Sequence, residues 1–195
     1  FEKIAEFIKE SDADIVCLQE FGHYHRYGTS KKDILKFFDS IYPYRHIWFK
    51  NQNKWGENGL ATFSRYPIVK KKKIEYKSAD NISIYSDIVI DGDTIRLINN
   101  HLESNKLNKE DRKFAEKLID ESKKQEILDA GLKIGSRLVT GAKNRMQQAS
   151  AVRQTIEETD HPTIALGDFN DVPLSFTYKT IKEDMQDAYA KGGNW

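Results

Sequence analysis

A layered α/β fold with mixed sheets is what this chain predicts, and three observations carry the prediction. Short apolar or alternating runs bounded by turn residues recur at Ile15–Leu18, His46–Phe49, Gly59–Ser64, Ile82–Ile90, Thr94–Leu102 and Pro162–Leu166. Segments with apolar residues three and four apart lie between and around them. Neither an internal repeat nor a low-complexity linker divides the 195 residues. Strand-rich blocks separated by helices favour a layered α/β domain. The length suits one domain, residues 1–195, on the usual scale of roughly 100–200 residues.

Phe1, Ile4, Ala5 and Ile8 have helical spacing, which predicts a helix over about residues 1–10. The polar stretch Ser11–Asp14 ends it and introduces a strand. Ile15–Leu18 is unbroken apolar sequence, expected to be buried on both faces and to deliver Gln19 and Glu20 at its C-terminal end. A helix from about Lys31 to Ile41 follows, with Ile34, Leu35, Phe37, Phe38 and Ile41 on one side, and Pro43 stops it. Residues 44–102 read as strands. Ile82–Ile90 alternates in its first half, the pattern of a half-buried strand. Asp91-Gly92-Asp93 is a hairpin turn, and Thr94–Leu102 is the returning strand. The basic run Lys70–Lys73 reads as a solvated or edge strand rather than a nucleic-acid patch.

From about Asn108 to Thr159 the pattern is helical. Phe114, Leu118 and Ile119 form one face, and Ala149, Val152 and Ile156 another. Gly131, Gly135 and Gly141 fall between them and predict two helices joined by a flexible stretch. About residues 105–144 thus form a helical insert rich in both charge signs, which could be a lid or partner surface but reads first as a solvated hairpin. Pro162–Leu166 is a short strand starting at a proline and ended by Gly167-Asp168-Phe169-Asn170-Asp171, and a helix around Ser175–Glu183 is the last element.

Composition narrows the function classes. Lys+Arg number 31 and Asp+Glu 30, so a net charge of +1 argues against dependence on a strong overall positive field, though not against a local basic groove. With 11% aromatic residues, disorder is not expected. The longest aliphatic run is far below the roughly 18 residues of a membrane span, and none is expected in this chain. The single cysteine, Cys17, excludes an internal disulfide and a multi-cysteine zinc site, and reads as a small buried hydrophobe. His23 and His25 could share a face as metal ligands, but a solvated loop pair is the stronger reading. Trp48 and Trp55 could stack a base, but read first as core or rim aromatics.

Glu20, His101, Asp168 and Asn170 all fall at or just beyond the ends of expected buried strands. Open α/β sheets bind ligands there, because loops converge at the carboxyl ends of strands. Carboxylates are hard donors for Mg²⁺ or Mn²⁺, and a histidine nearby can share a proton with a phosphoryl oxygen. Together they describe metal-assisted hydrolysis of a phosphate ester. Each feature alone has a plain alternative: an Asx turn for Gly-Asp-Phe-Asn, a loop charge for Glu20, and a core histidine for His101.

Four segments occur in one order: Leu18-Gln19-Glu20, Asn58-Gly59-Leu60-Ala61-Thr62-Phe63-Ser64-Arg65, Asn99-Asn100-His101-Leu102 and Gly167-Asp168-Phe169-Asn170. In this the chain resembles the endonuclease/exonuclease/phosphatase (DNase I-like) superfamily over about Ile15 to Asp187. It is most similar to a bacterial group in which the histidine strand continues into Glu103-Ser104 and a long helical insert. The resemblance implies a four-layer α/β/β/α sandwich of two mixed sheets. It further implies a Mg²⁺- or Mn²⁺-dependent phosphoesterase, of nuclease or phosphatase type, acting on nucleic acid, phospholipid or a small phosphoester. No protein partner is inferred. On the same basis Glu20 is the metal ligand, His101 contacts the scissile phosphate, Asp168 orients or deprotonates water, and Asn170 positions it. Arg65 is expected to be structural. Members of that group often carry membrane segments ahead of this domain, which implies a membrane tether in the longer protein.

The chain also departs from the family pattern. It begins after the family's first, asparagine-bearing strand and contains no Ser-Asp-His motif. Phe1 and the terminal Gly192-Gly193-Asn194-Trp195 both read as cut ends. The expectation is a fragment of a longer hydrolase, not competent alone. The rival reading is a catalytically silent binding or scaffold domain that keeps the fold.

Overall fold

The computed structural model describes residues 1–24, 30–54, 56–78, 80–106 and 124–192. In chain order the elements are α1 (Glu2–Glu10), β1 (Ile15–Tyr24), α2 (Lys31–Asp39), β2 (Tyr44–Asn53), β3 (Gly56–Ser64), β4 (Ile68–Ile74), β5 (Ile82–Ile90) and β6 (Asp93–His101). Then follow α3 (Lys124–Glu157), β7 (Thr163–Asp168), α4 (Phe176–Lys182) and α5 (Ala188–Gly192). Among the described residues one sheet has the order β1-β3-β2 and is antiparallel. The other has the order β4-β5-β6-β7 and is mixed, because β7 runs parallel to β6.

The sheets lie face to face and helices cover their outer faces, so the expected four layers are present. On one outside, Ile8 of α1 and Ile34 and Phe38 of α2 pack on Ala61 and Phe63 of β3. The Phe38 and Phe63 rings stack at 3.9 Å between centroids. Ser30 caps α2: its hydroxyl accepts from the Asp33 amide and donates to the Asp33 carboxylate. On the other outside, Ala149 and Val152 of α3 and Ile181 of α4 pack on Ile74, Tyr85, Ile98 and Leu102. Between the sheets, Leu60, Ile82 and Ile84 form a small apolar patch.

Three expectations are corrected. First, β5 is not half-buried: Ile82 through Ile88 are all buried, and the polar Ser83, Ser86 and Asp87 each have a partner. Ser83 meets the Tyr76 hydroxyl at 2.9 Å, Ser86 meets His46 Nδ1 at 3.0 Å, and Asp87 takes Arg96. Alternation marked which residues face which layer, not which are wet. Second, β1 is only partly buried along Ile15–Leu18, because it lies at the edge of its sheet among the described residues. Third, α3 runs unbroken for 34 residues through Gly131, Gly135 and Gly141. A helical glycine costs only about 1 kcal/mol against alanine, too little to break a helix anchored by its C-terminal half. The part of the expected insert at residues 107–123 lies outside the described residues. β4, which carries Lys70–Lys73, is an edge strand with Lys70, Lys71 and Lys72 exposed. No helix among the described residues is long and apolar enough to cross a membrane.

The Asp87–Arg96 pair is buried between β5 and β6. Arg96 Nε donates to Asp87 Oδ1 at 2.8 Å and Nη2 to Oδ2 at 3.0 Å, while Nη1 donates to the Thr155 carbonyl at 3.0 Å. Removing one partner strands the other charge. Asp87→Ala is expected to lower unfolding free energy by about 3–5 kcal/mol in urea titrations, and an Asp87→Leu, Arg96→Met double variant to recover much of it.

His46 gives a pH prediction. Burial, helped by the charge of nearby Lys71, pushes its pKa down from 6.5 to about 4. Below pH 6.5 the unfolded chain binds a proton that the folded chain refuses. Stability held by the neutral ring is therefore complete above pH 6.5 and is lost as pH falls toward about 4, by on the order of 3 kcal/mol. Urea midpoints of the parent and of His46→Gln between pH 7 and 4 check this, and the variant should lack that component of the fall.

Candidate functional site

β6 and β7 end side by side on His101 and Asp168, while Glu20, expected at the end of its strand, lies inside β1, which continues pairing with β3 as far as Tyr24. In β1 the register slips between Leu18, opposite Ala61, and Phe21, opposite Gly59. Gln19 and Glu20 thus oppose the single Leu60, a β-bulge, and Glu20 has φ +53°. The bulge turns the Glu20 carboxylate outward, where it is exposed. Gly59 is required by the neighbouring strand: a Cβ there would lie 1.9 Å from the Trp48 carbonyl oxygen.

The parallel β6–β7 pairing sets His101 directly opposite Asp168. His101 Nε2 lies 4.0 Å from Asp168 Oδ2, with the imidazole largely covered and the carboxylate about half exposed. Asp168 Oδ1 accepts the Asn170 amide at 2.9 Å, and the Asp168 carbonyl accepts the Leu102 amide at 2.9 Å. Asn170 has φ +50°, a left-handed conformation that asparagine tolerates, and its Nδ2 donates to the Leu102 carbonyl at 2.9 Å. Gly167 precedes the turn with φ +128°, and a Cβ there would meet Asn100 O at 2.1 Å. Only glycine lets β7 approach β6 this closely and then turn.

Beneath this surface is a polar layer to which the motifs, though they contain Gln19 and Asn99, assigned no role. Asn99 is fully buried between the sheets; its Nδ2 donates to the carbonyls of Ala61 at 3.0 Å and Leu18 at 3.4 Å, and its Oδ1 accepts Gln19 Nε2 at 2.7 Å. It therefore joins β6 to the bulge that carries Glu20. Asp171, read only as part of a turn, is paired with Arg145 at 2.9 Å. Burial alone would raise the Asp171 pKa, but hydrogen bonds from Thr177, Arg145 and the Val172 amide outweigh it and hold it below the usual value. The signal for Asn99, and for Arg145 as the partner of Asp171, was a polar residue inside an apolar pattern: Asn99 within a strand and Arg145 within a helix face.

Arg65 lies at the other end of β1. It pairs with Asp12 at 2.6 Å and Asp14 at 3.1 Å, a structural clasp on the loop before β1. Asn58 lies in β3 opposite Gly22, next to the bulged region. Cys17 is held beside Thr62 Oγ1 at 3.6 Å, and burial pushes its thiol up to about 11, so it behaves as a hydrophobe. Trp48 is a rim aromatic with Lys73 Nζ 5.7 Å from its ring. His25 and Trp55 lie outside the described residues.

Among the described residues no three His, Cys, Asp or Glu side chains converge as a protein-built metal cage. The donors do not fit a four-ligand zinc site. They fit Mg²⁺, which takes one or two carboxylates and fills its remaining positions with water and substrate oxygens. Glu20, an exposed carboxylate at the β1 bulge, has that character.

Comparison with solved structures finds the same fold at low identity. The catalytic domain of human nocturnin with a bound sulfate anion matches with a TM-score of 0.61 and 15% identity, over 98% of this chain and 65% of that one. A Staphylococcus aureus beta toxin variant with bound magnesium ions matches at 0.60 and 16%, over 94% and 62%. A mannosyl-6-phosphatase from Bacteroides thetaiotaomicron matches at 0.59 and 15%, over 97% and 64%. The chain thus spans a little under two thirds of the length of these structures. No curated protein sequence matches it. The sequence model of the endonuclease/exonuclease/phosphatase family matches residues 1–195, and the chain belongs to that family.

Proposed function

We propose that this chain forms the greater part of a divalent-metal-dependent phosphoester hydrolase, with Glu20 as metal ligand and His101, Asp168 and Asn170 as catalytic residues. The observation that carries the reading is the in-register pairing of His101 and Asp168, an imidazole and a half-exposed carboxylate 4.0 Å apart at adjacent strand ends. Family membership supports the reaction class, and a neighbour that binds magnesium supports the metal. The resemblance of the four motifs to the family supports the individual roles.

The two oxygens of Asp168 divide the work. Oδ1 is held by the Asn170 amide, which fixes the carboxylate's orientation and leaves Oδ2 on the His101 side to orient a water and accept its proton. Asn170 spends one side-chain N–H on the Leu102 carbonyl, and an amide has a second to offer a phosphoryl oxygen without adding charge. His101 is held by β6 and donates to a phosphoryl oxygen when protonated. A divalent cation on Glu20 would neutralise charge that builds on those oxygens. Substrates in the class are nucleic acid, phospholipid or a small phosphoester, and the net charge of +1 gives nucleic acid no advantage.

The test is release of product from DNA, RNA, phospholipid and inositol phosphate by the full-length protein, with and without Mg²⁺. Asp168→Asn should lower kcat by about 10²- to 10⁴-fold, the range for losing a positioned base. Activity that survives Asp168→Ala, or that is unaffected by chelator, would sink the reading. Glu20→Gln removes the charge but keeps the shape. It should raise the Mg²⁺ concentration needed for half-maximal activity by at least about tenfold, since Mg²⁺ sites depend on few carboxylates.

A further inference from the structure

Arg145 is a buried arginine on α3, only 4% exposed, facing the loops that carry the site. Its guanidinium donates in two directions. Nε reaches Asp171 Oδ2 at 2.9 Å, on the loop after β7. Nη1 reaches the Glu103 carbonyl at 2.9 Å and Asn105 Oδ1 at 2.9 Å, on the segment after β6. Two of these three contacts, Asp171 and Glu103, are one residue beyond a residue that shapes the site. Asp171 follows Asn170, and Glu103 follows Leu102, whose carbonyl accepts the Asn170 side chain and whose amide binds the Asp168 carbonyl.

A second observation shows that the helix surface is shaped for this seat. Gly141 lies one turn before Arg145, and a Cβ there would come within 2.9 Å of Asn105 Oδ1, 3.2 Å of Arg145 Nη1 and 3.3 Å of the Ser104 carbonyl. Gln148, one turn on the other side by a spacing of three, accepts the Glu103 amide at 2.8 Å. One face of α3 thus receives the post-β6 segment through backbone contacts, and the arginine joins that segment to the post-β7 loop.

We propose that Arg145 is a positioning residue for the site: by tying Asp171 to the Glu103 backbone it holds Asn170 in its left-handed conformation, and with it the orientation of Asp168. The inference rests on the phosphoester-hydrolase reading for its kinetic consequence, but not for its structural one. A planar fork with donors on several edges can span two loops at once, and a lysine ammonium on a flexible stem cannot hold both in one geometry. Arg145→Lys should therefore recover only part of the function.

The test uses two readouts on the full-length protein. In amide hydrogen exchange, Arg145→Met should raise exchange across residues 167–172 while β5 and β6 keep their protection. In kinetics, Arg145→Met should lower kcat at least about tenfold with KM within about twofold. In an Asn170→Ala background the same change should cost less than about threefold, because residues acting as one unit are not additive. Gly141→Ala, which crowds the seat without removing the charge, should give a smaller rise in exchange over the same residues, and serves if Arg145→Met does not fold. Unchanged exchange at 167–172, or an equal kcat loss in both backgrounds, overturns the proposal. If the parent hydrolyses no phosphoester yet exchange rises as expected, the hydrolase reading falls and the positioning role stands.

Discussion

Asn99 is the constraint on which the rest of the sandwich depends. A side chain with two donors and an acceptor, fully buried between two sheets, must find all its partners inside, because each one left unmet costs about 1–3 kcal/mol. It finds them on the opposite sheet: the Ala61 and Leu18 carbonyls and the Gln19 amide. Apolar contacts between sheets tolerate small slides, but this set of bonds does not. It therefore fixes how far β1 extends past β6, and so where the bulge places Glu20 relative to His101. The same strand reads its other neighbour through parallel register, which sets His101 against Asp168. One strand, β6, thus references all three strands that carry the candidate residues.

The layered architecture was legible because its signals are local. Short apolar runs, the Asp91-Gly92-Asp93 turn and the Pro43 stop are decided within a few residues, and the elements begin close to where those signals put them, though β1 runs on to Tyr24. Glu20, His101, Asp168 and Asn170 were legible as an ordered set, and the fold brings His101, Asp168 and Asn170 together where β6 and β7 end, while Glu20 lies inside β1. The Glu20 bulge was not legible. Whether a strand carries an extra residue is settled by its partner, here by Gly59 pressed against the Trp48 carbonyl and by the Asn99 bonds. Ser83, Ser86 and Asp87 looked wet for the same reason: the Tyr76, His46 and Arg96 groups that satisfy them come from other strands or from the loop after β4.

The long helix shows how a correct local rule gives a wrong local result. Glycines at 131, 135 and 141 do weaken a helix, and their spacing argued for a break. From Gly141 onward, however, α3 is held to the second sheet at two polar points and an apolar middle. Arg145 binds the post-β6 segment, the Thr155 carbonyl receives Arg96, and Ala149 and Val152 are fully buried between them. Ten residues separate the two polar points, about 15 Å of helix at 1.5 Å per residue. Tertiary anchoring on that scale outweighs about 1 kcal/mol per glycine, and at Gly141 the missing side chain is itself the accommodation for the segment that docks there.

The two buried arginines also separate stability from the site. Arg96 is enclosed by Asp87, the Thr155 carbonyl and the Tyr85 ring at 4.2 Å, all within the layer between sheet and helix, and none of them bonds to Glu20 or Asp168. Arg145 instead joins the helix to two loops, and each loop continues directly into a residue of the site. Both cations are buried and both are paired with a carboxylate, so burial alone does not distinguish them. What distinguishes them is the mechanical freedom of what they hold. A strand pair already locked by its own ladder gains cohesion from an ion pair, whereas a turn with φ +50° at Asn170 has no ladder and takes its shape from whatever grips its flanks. In this fold the grip comes from the helix behind the sheet, so the geometry of the exposed turn is set by packing that no part of the surface reveals.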